Sequence, residues 1–149
     1  MRRKFVSIIL SLFMLSSVGS LAACDFFGDS KNAQKQAYVS LDINPAVELI
    51  VDRENKVVSV RGENEDGQVL MYDETGIKGE SIDAAIQKIT DIAVKCGYLD
   101  QNNKVVDVLV TSENEKFAKD VLSKVNTSVT TTAANLGINV TMSGEGAYS

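Results

Sequence analysis

Apolar and polar residues alternate from Tyr38 to Asn44: Val39, Leu41 and Ile43 fall on one side, Ser40, Asp42 and Asn44 on the other. A period of two predicts a half-buried strand. Pro45 interrupts the run, and Val47, Leu49 and Val51 resume it. Residues 52–56 (DRENK) read as a turn and Val57 to Val60 as the next strand. Asn64-Glu65-Asp66-Gly67 reads as another turn, ahead of a short additional strand at Val69 to Tyr72.

The period then changes. Ile82, Ala85, Ile86, Ile89, Ile92, Ala93 and Cys96 recur at helical spacing, with Ser81 as N-cap, Asp83 in the first turn and Gly97 just past the end. A second helix is expected to open at Ser112-Glu113-Asn114-Glu115, a capping-box pattern. Its stripe is Phe117, Ala118, Val121, Leu122 and Val125, extending toward Val129. The β-branched run Thr130 to Thr132 weakens its last turns, and Gly137 ends it. Val105 to Val110 reads as a buried strand between the helices. Ile138, Val140 and Met142 alternate after them, and Gly144 to Ser149 reads as a flexible, frayed tail. This order predicts an α+β fold: a single mixed or antiparallel sheet of about five to six strands, with two helices packed on one face.

The N-terminal segment has another character. Arg2, Arg3 and Lys4 precede an apolar run from Phe5 to Leu15, which is shorter than the ~20 residues of a spanning helix. The segment closes on Leu21-Ala22-Ala23-Cys24, which resembles a bacterial lipobox. The resemblance implies a signal peptide over 1–23, acyl chains on Cys24 and attachment to the outer leaflet of the cell membrane. An ordinary secretory signal with an incidental cysteine is the alternative. Two acyl chains anchor stably where one, at ~0.8 kcal/mol per buried methylene, binds marginally. Residues 25–36 are polar apart from Phe26 and Phe27 and read as part of a lipid-anchored linker, 24–36. The folded domain is then 37–142, with 143–149 as the tail.

Composition narrows the chemistry. The chain has 149 residues, 15 Lys+Arg, 20 Asp+Glu and no histidine, for a formal charge of −5. Without histidine the commonest general base and metal ligand are missing. An acidic chain is a poor nucleic-acid binder, because phosphates demand a basic surface. The two cysteines, Cys24 and Cys96, cannot form a four-cysteine zinc site. Cys96 is expected to be a small buried hydrophobe on the helix stripe. The acidic clusters Asp52/Glu54 and Glu63/Glu65/Asp66 lack the ligand spacing of a calcium loop and read as solvated turns. No metal or cofactor is expected, nor a multiple-turnover enzyme. Asn126-Thr127-Ser128 and Asn139-Val140-Thr141 match the glycosylation pattern, the first within a predicted helix.

One dipeptide carries potential chemistry. Asn44-Pro45 sits between two strands, flanked by Asp42 and Glu48. Pro45 has no N–H, so the usual attack of the following amide on the asparagine side chain is closed. The Asn44 side-chain amide can instead attack its own carbonyl carbon, close a succinimide and expel the proline nitrogen. Backbone strain and near-attack geometry would speed this step, and Asp42 or Glu48 could assist proton transfer. On the residues alone, a proline-induced bulge or edge-strand break is the favoured explanation of the dipeptide.

The stretch Ala37 to Leu49, with its core Asp42-Ile43-Asn44-Pro45-Ala46-Val47-Glu48-Leu49, resembles the extracytoplasmic middle domain of RsgI-type anti-sigma factors. Val51, Asp52, Arg53, Val58, the Asn64–Gly67 segment and the helix start at Gly79-Glu80-Ser81 extend the similarity. It implies autoproteolysis at Asn44–Pro45, with both pieces staying associated until their separation passes a signal on. Ala46 stands where serine is expected in that family. The sequence shows no counterpart of the family's cytoplasmic anti-sigma segment or transmembrane helix, so direct sigma-factor binding is not expected. The expected role is a tethered, self-cleaving sensing or release module. The alternative is an uncut lipoprotein that binds a protein partner or cell-wall glycan at the envelope. With aromatics at 6% and no tryptophan, a protein is the better-fitting partner.

Overall fold

A computed structural model describes residues 36–72 and 76–148. Its strands are β1 (Ala37–Asp42), β2 (Ala46–Val51), β3 (Val57–Gly62), β4 (Val105–Ser112) and β5 (Thr141–Tyr148). Its helices are α1 (Glu65–Met71), α2 (Ile82–Lys95) and α3 (Glu115–Asn135). The five strands form one mixed sheet in the order β3-β2-β1-β4-β5, antiparallel except for the β4/β5 pair. The parallel pair needs a crossover, which α3 supplies. The fold is α+β, as the periodicities predict.

The alternation in β1 works as expected. Val39 and Leu41 face Leu49 and Val47 of β2 on one side and Val110 and Val108 of β4 on the other. All six lie on the sheet face that α2 and α3 cover, in one core with Ile86, Ile89, Val121 and Val125. The helices pack against each other, and α3 lies against β1, β4 and β5. Tyr38, Ser40, Asp42 and Glu48 point to the opposite face. β1 is thus the middle strand of five, although the chain enters the domain through it.

The ends of α2 follow the sequence. Ser81 Oγ accepts the Ala84 N–H at 3.3 Å, and Gly97 terminates the helix at φ +79°. Gly137 at φ +82° follows α3 in the same way. Four expectations are corrected. Residues 69–71 are helical: Asn64 begins a helix in place of a turn, its Oδ1 accepting the Gly67 N–H at 2.7 Å. The cap of α3 is Asn114, whose Oδ1 accepts from Phe117 N at 2.9 Å. Ser112 stays in β4, and its hydroxyl donates to the Gln36 carbonyl at 2.7 Å. Cys96 is exposed, because the buried stripe of α2 ends at Ala93. The glycine-rich end is a strand through residue 148, held by the parallel pairing with β4. The signal segment, Cys24 and the linker up to residue 35 lie outside the described residues.

Candidate functional site

β1 and β2 are joined through Ile43-Asn44-Pro45, closed by the Asp42–Ala46 pair. Asn44 adopts φ +51°, the left-handed region that asparagine tolerates better than other side-chain-bearing residues. The turn is fixed from both sides. Asp42 Oδ1 accepts the Asn44 N–H at 2.7 Å, and the Ile43 N–H donates to the Pro45 carbonyl at 2.9 Å. Beyond the proline, the Ala46 N–H donates to Asn64 Oδ1 at 3.1 Å, and the Ala46 carbonyl accepts the Glu63 N–H at 2.8 Å. Ile43 and Pro45 are buried, whereas Asn44 is exposed. The hydrophobic neighbours thus seat the turn and leave the asparagine outside.

Asp42 and Glu48, both flanking the dipeptide in sequence, have different surroundings. Asp42 sits on the turn, bonded to the Asn44 backbone. Glu48 pairs with Ser40 and Arg61 across the sheet, two residues back from the Asp42–Ala46 pair, or about 7 Å at ~3.4 Å per residue. Glu48 is 7% exposed, and its carboxylate accepts from the Tyr38 hydroxyl and from Arg61 Nε. The hydrogen bond from Arg61, with that from Tyr38, holds the Glu48 carboxyl below the usual carboxylate range. Burial, reinforced by Glu48, pushes the Tyr38 phenol up to about 12.

The stabilisation Tyr38 contributes is complete below its ordinary pKa of 10.0 and is lost as pH rises through about 12. That of Glu48 is present above the ordinary carboxyl value and is lost as pH falls through its lowered one. Alkaline titration of phenolate absorbance should therefore show a step near 12 that disappears in Tyr38→Phe. In Glu48→Gln that step should move toward lower pH; an unmoved step would show that the carboxylate does not act on Tyr38.

The acidic clusters are occupied structurally. Asp52 Oδ1 accepts the backbone N–H groups of Glu54 and Lys56, both at 2.9 Å, while Glu54 pairs with Arg53 and Glu63 accepts from Ser40. Among the described residues, no group of three or more acidic or cysteine side chains is placed to hold a metal ion. No helix among them is long and apolar enough to cross a membrane.

A sequence profile of the anti-sigma factor RsgI-like central domain matches residues 36–146, from just before β1 into β5. The chain belongs to this family. Individual relatives agree with that assignment. The anti-sigma-I factor RsgI7 of Acetivibrio thermocellus is 28% identical over 127 residues, covering 84% of this chain and 22% of the relative. RsgI4 of the same organism is 27% identical over 71% of this chain and 21% of its own length. The anti-sigma-I factor RsgI of Bacillus anthracis is 27% identical over 70% of this chain and 23% of its own length. The chain therefore spans about a fifth of the length of these curated relatives. The segment matched by the family, 36–146, contains Asn44-Pro45.

Two residues at this turn, Asn64 and Gly67, do not stand out in the sequence as site residues. Both fall in the segment that reads as a turn, and the signal that marks them is an asparagine followed by two acids, an N-cap with a charged first turn. Tyr38 and Arg61 have no local signal, because strand register alone brings them to Glu48.

Proposed function

We propose that this RsgI-like domain is a lipid-tethered envelope signalling module that cuts its own chain at Asn44–Pro45 and stays assembled after the cut. The Asn44 Nδ2 lone pair attacks the Asn44 carbonyl carbon and forms the ring C–N bond. The tetrahedral centre collapses, the carbon–nitrogen bond to Pro45 breaks, and the proton lost by Nδ2 ends on the proline nitrogen. The products are a succinimide-terminated N-terminal piece and a body beginning with a secondary amine. Asp42 is the carboxylate nearest in the chain to this exchange, while Glu48 is engaged with Tyr38 and Arg61.

The observation that carries this reading is the place of the bond. It lies at the exit of the middle strand, in a turn held on both flanks, with an exposed left-handed asparagine before the proline. A cut there leaves β1 paired to β2 and β4 with Val39, Leu41 and Ile43 still buried. A lipid on Cys24 would make β1 the mooring strand, so that pulling on the tether loads the joint between the pieces. An uncut lipoprotein that docks an envelope protein is the second reading. It draws on Ile50 and Leu109, exposed on the sheet face that the helices leave open.

Denaturing gels and intact mass measurement of the purified chain test the first reading. Two pieces split between residues 44 and 45 are expected from the unmutated chain and one band from Asn44→Ala. An intact unmutated chain overturns self-cleavage. The same spectrum shows whether Cys24 carries acyl chains.

A further inference from the structure

We infer that Asn64 is a positioning residue for the Asn44–Pro45 bond, holding its leaving side against the first turn of α1; the inference rests on the self-cleavage reading. A single oxygen, Asn64 Oδ1, accepts two backbone N–H groups: Gly67 at 2.7 Å within α1, and Ala46 at 3.1 Å, next to the departing proline. The neighbouring Glu63 N–H takes the Ala46 carbonyl at 2.8 Å. Both polar groups of Ala46 are therefore bound to the β3–α1 junction, outside the hairpin that contains the bond.

Packing enforces the same contact. A Cβ on Gly67 would collide with the Ala46 carbonyl oxygen, so the helix start and the turn meet backbone to backbone. Across the bond, Asn44 is held by Asp42 through its own N–H. The two flanks of the scissile amide are thus fastened to different elements. Asn44 cannot leave its left-handed conformation by swinging Pro45 and Ala46 unless the bond to Asn64 breaks. Holding the carbonyl carbon in register with the attacking side-chain nitrogen is the part of the barrier that orientation controls.

Asn64 is also the cap of α1, and the test must separate the two duties. Serine caps helices well, yet its shorter side chain serves the Gly67 N–H without spanning to Ala46. Aspartate keeps an acceptor oxygen at the same reach. The full chain is made by cell-free synthesis, and the appearance of the two pieces is followed over time, with circular dichroism melting as the folding control. Asn64→Ser is expected to melt as a folded domain and to cut about tenfold more slowly, and Asn64→Ala at least as slowly. Asn64→Asp should cut at close to the unmutated rate. A cap without a positioning role would leave the rate of Asn64→Ser unchanged, and that result overturns the inference. So does an Asn64→Asp chain as slow as the serine variant. If Asn64→Ala does not fold, the serine and aspartate variants decide. An unmutated chain that stays whole removes the self-cleavage reading itself, whereas a cutting chain indifferent to Asn64→Ser removes this inference alone.

Discussion

Leu41→Ala is expected to destabilise the domain by about 2–5 kcal/mol, the range for emptying a fully buried leucine site. Leu41 is completely buried on the middle strand, between Val47 of β2 and Val108 of β4, so neighbours on both sides lose contacts and little can collapse into the space. Against a typical total of about 5–15 kcal/mol, the loss is a large share. Urea unfolding should show a lower midpoint with an unchanged slope. Ser40→Ala, one residue away on the opposite face, removes an exposed hydrogen bond to Glu63 and should cost well under ~1 kcal/mol. In a chain cut at Asn44–Pro45, the leucine loss falls on the joint between the pieces. There, about 2–5 kcal/mol corresponds to roughly a thirtyfold to several-thousandfold weaker hold. A midpoint shift for Leu41→Ala no larger than that of Ser40→Ala would mean that β1 is not integral to the sheet.

The strands and the long helices were legible because each repeats its pattern over enough residues to show a period. Val39, Leu41 and Ile43 suffice for β1, and the stripe from Ile82 to Ala93 suffices for α2. Gly97 and Gly137 were legible for a separate reason: both take a positive φ just past a helix, where glycine is the least strained residue. The short α1 was not. With seven residues and Leu70 as its buried apolar side chain, it is too brief to display a helical stripe, and Asn64-Glu65-Asp66-Gly67 suits a turn as well as a helix start. The competition between Ser112 and Asn114 for the α3 cap is settled by β4, which keeps Ser112 paired with Tyr148 at its last rung.

At the ends of the sheet, tertiary context outweighed composition. Residues 143–148 look like a loose end because of Gly144 and Gly146, yet β5 runs through them along β4. Gly144 helps there: a Cβ would come to 3.3 Å from Leu122 Cδ1, so its absence lets α3 lie close. The site was half legible. Asn44, Pro45 and Asp42 stand together in sequence and in space. The groups that hold them, Asn64 and Glu63 with the first turn of α1, lie about twenty residues further along and reach the turn through the fold.

Gly62→Ala should be strongly disruptive, costing about 3 kcal/mol or more, at the upper end for overpacking a well-filled site. Gly62 ends β3, and a Cβ there would run into the backbone of Gly67 and Gln68 in the first turn of α1. Backbone has no rotamer with which to yield, so β3 and α1 must separate. Gly79→Ala is the informative comparison. Gly79 sits at φ +90° with open space where the added methyl would go, so its cost is conformational alone, about 1 kcal/mol. Thermal melting should rank Gly62→Ala well below Gly79→Ala. Equal melting temperatures would mean that α1 is not seated on the end of β3. The same displacement would draw Asn64 and Glu63 away from Ala46, so in a self-cutting chain Gly62→Ala should slow the cut while Gly79→Ala leaves it unchanged. Destabilisation alone does not produce that pairing when both variants are measured well below their melting temperatures, because both are then fully folded and differ in the grip on the turn.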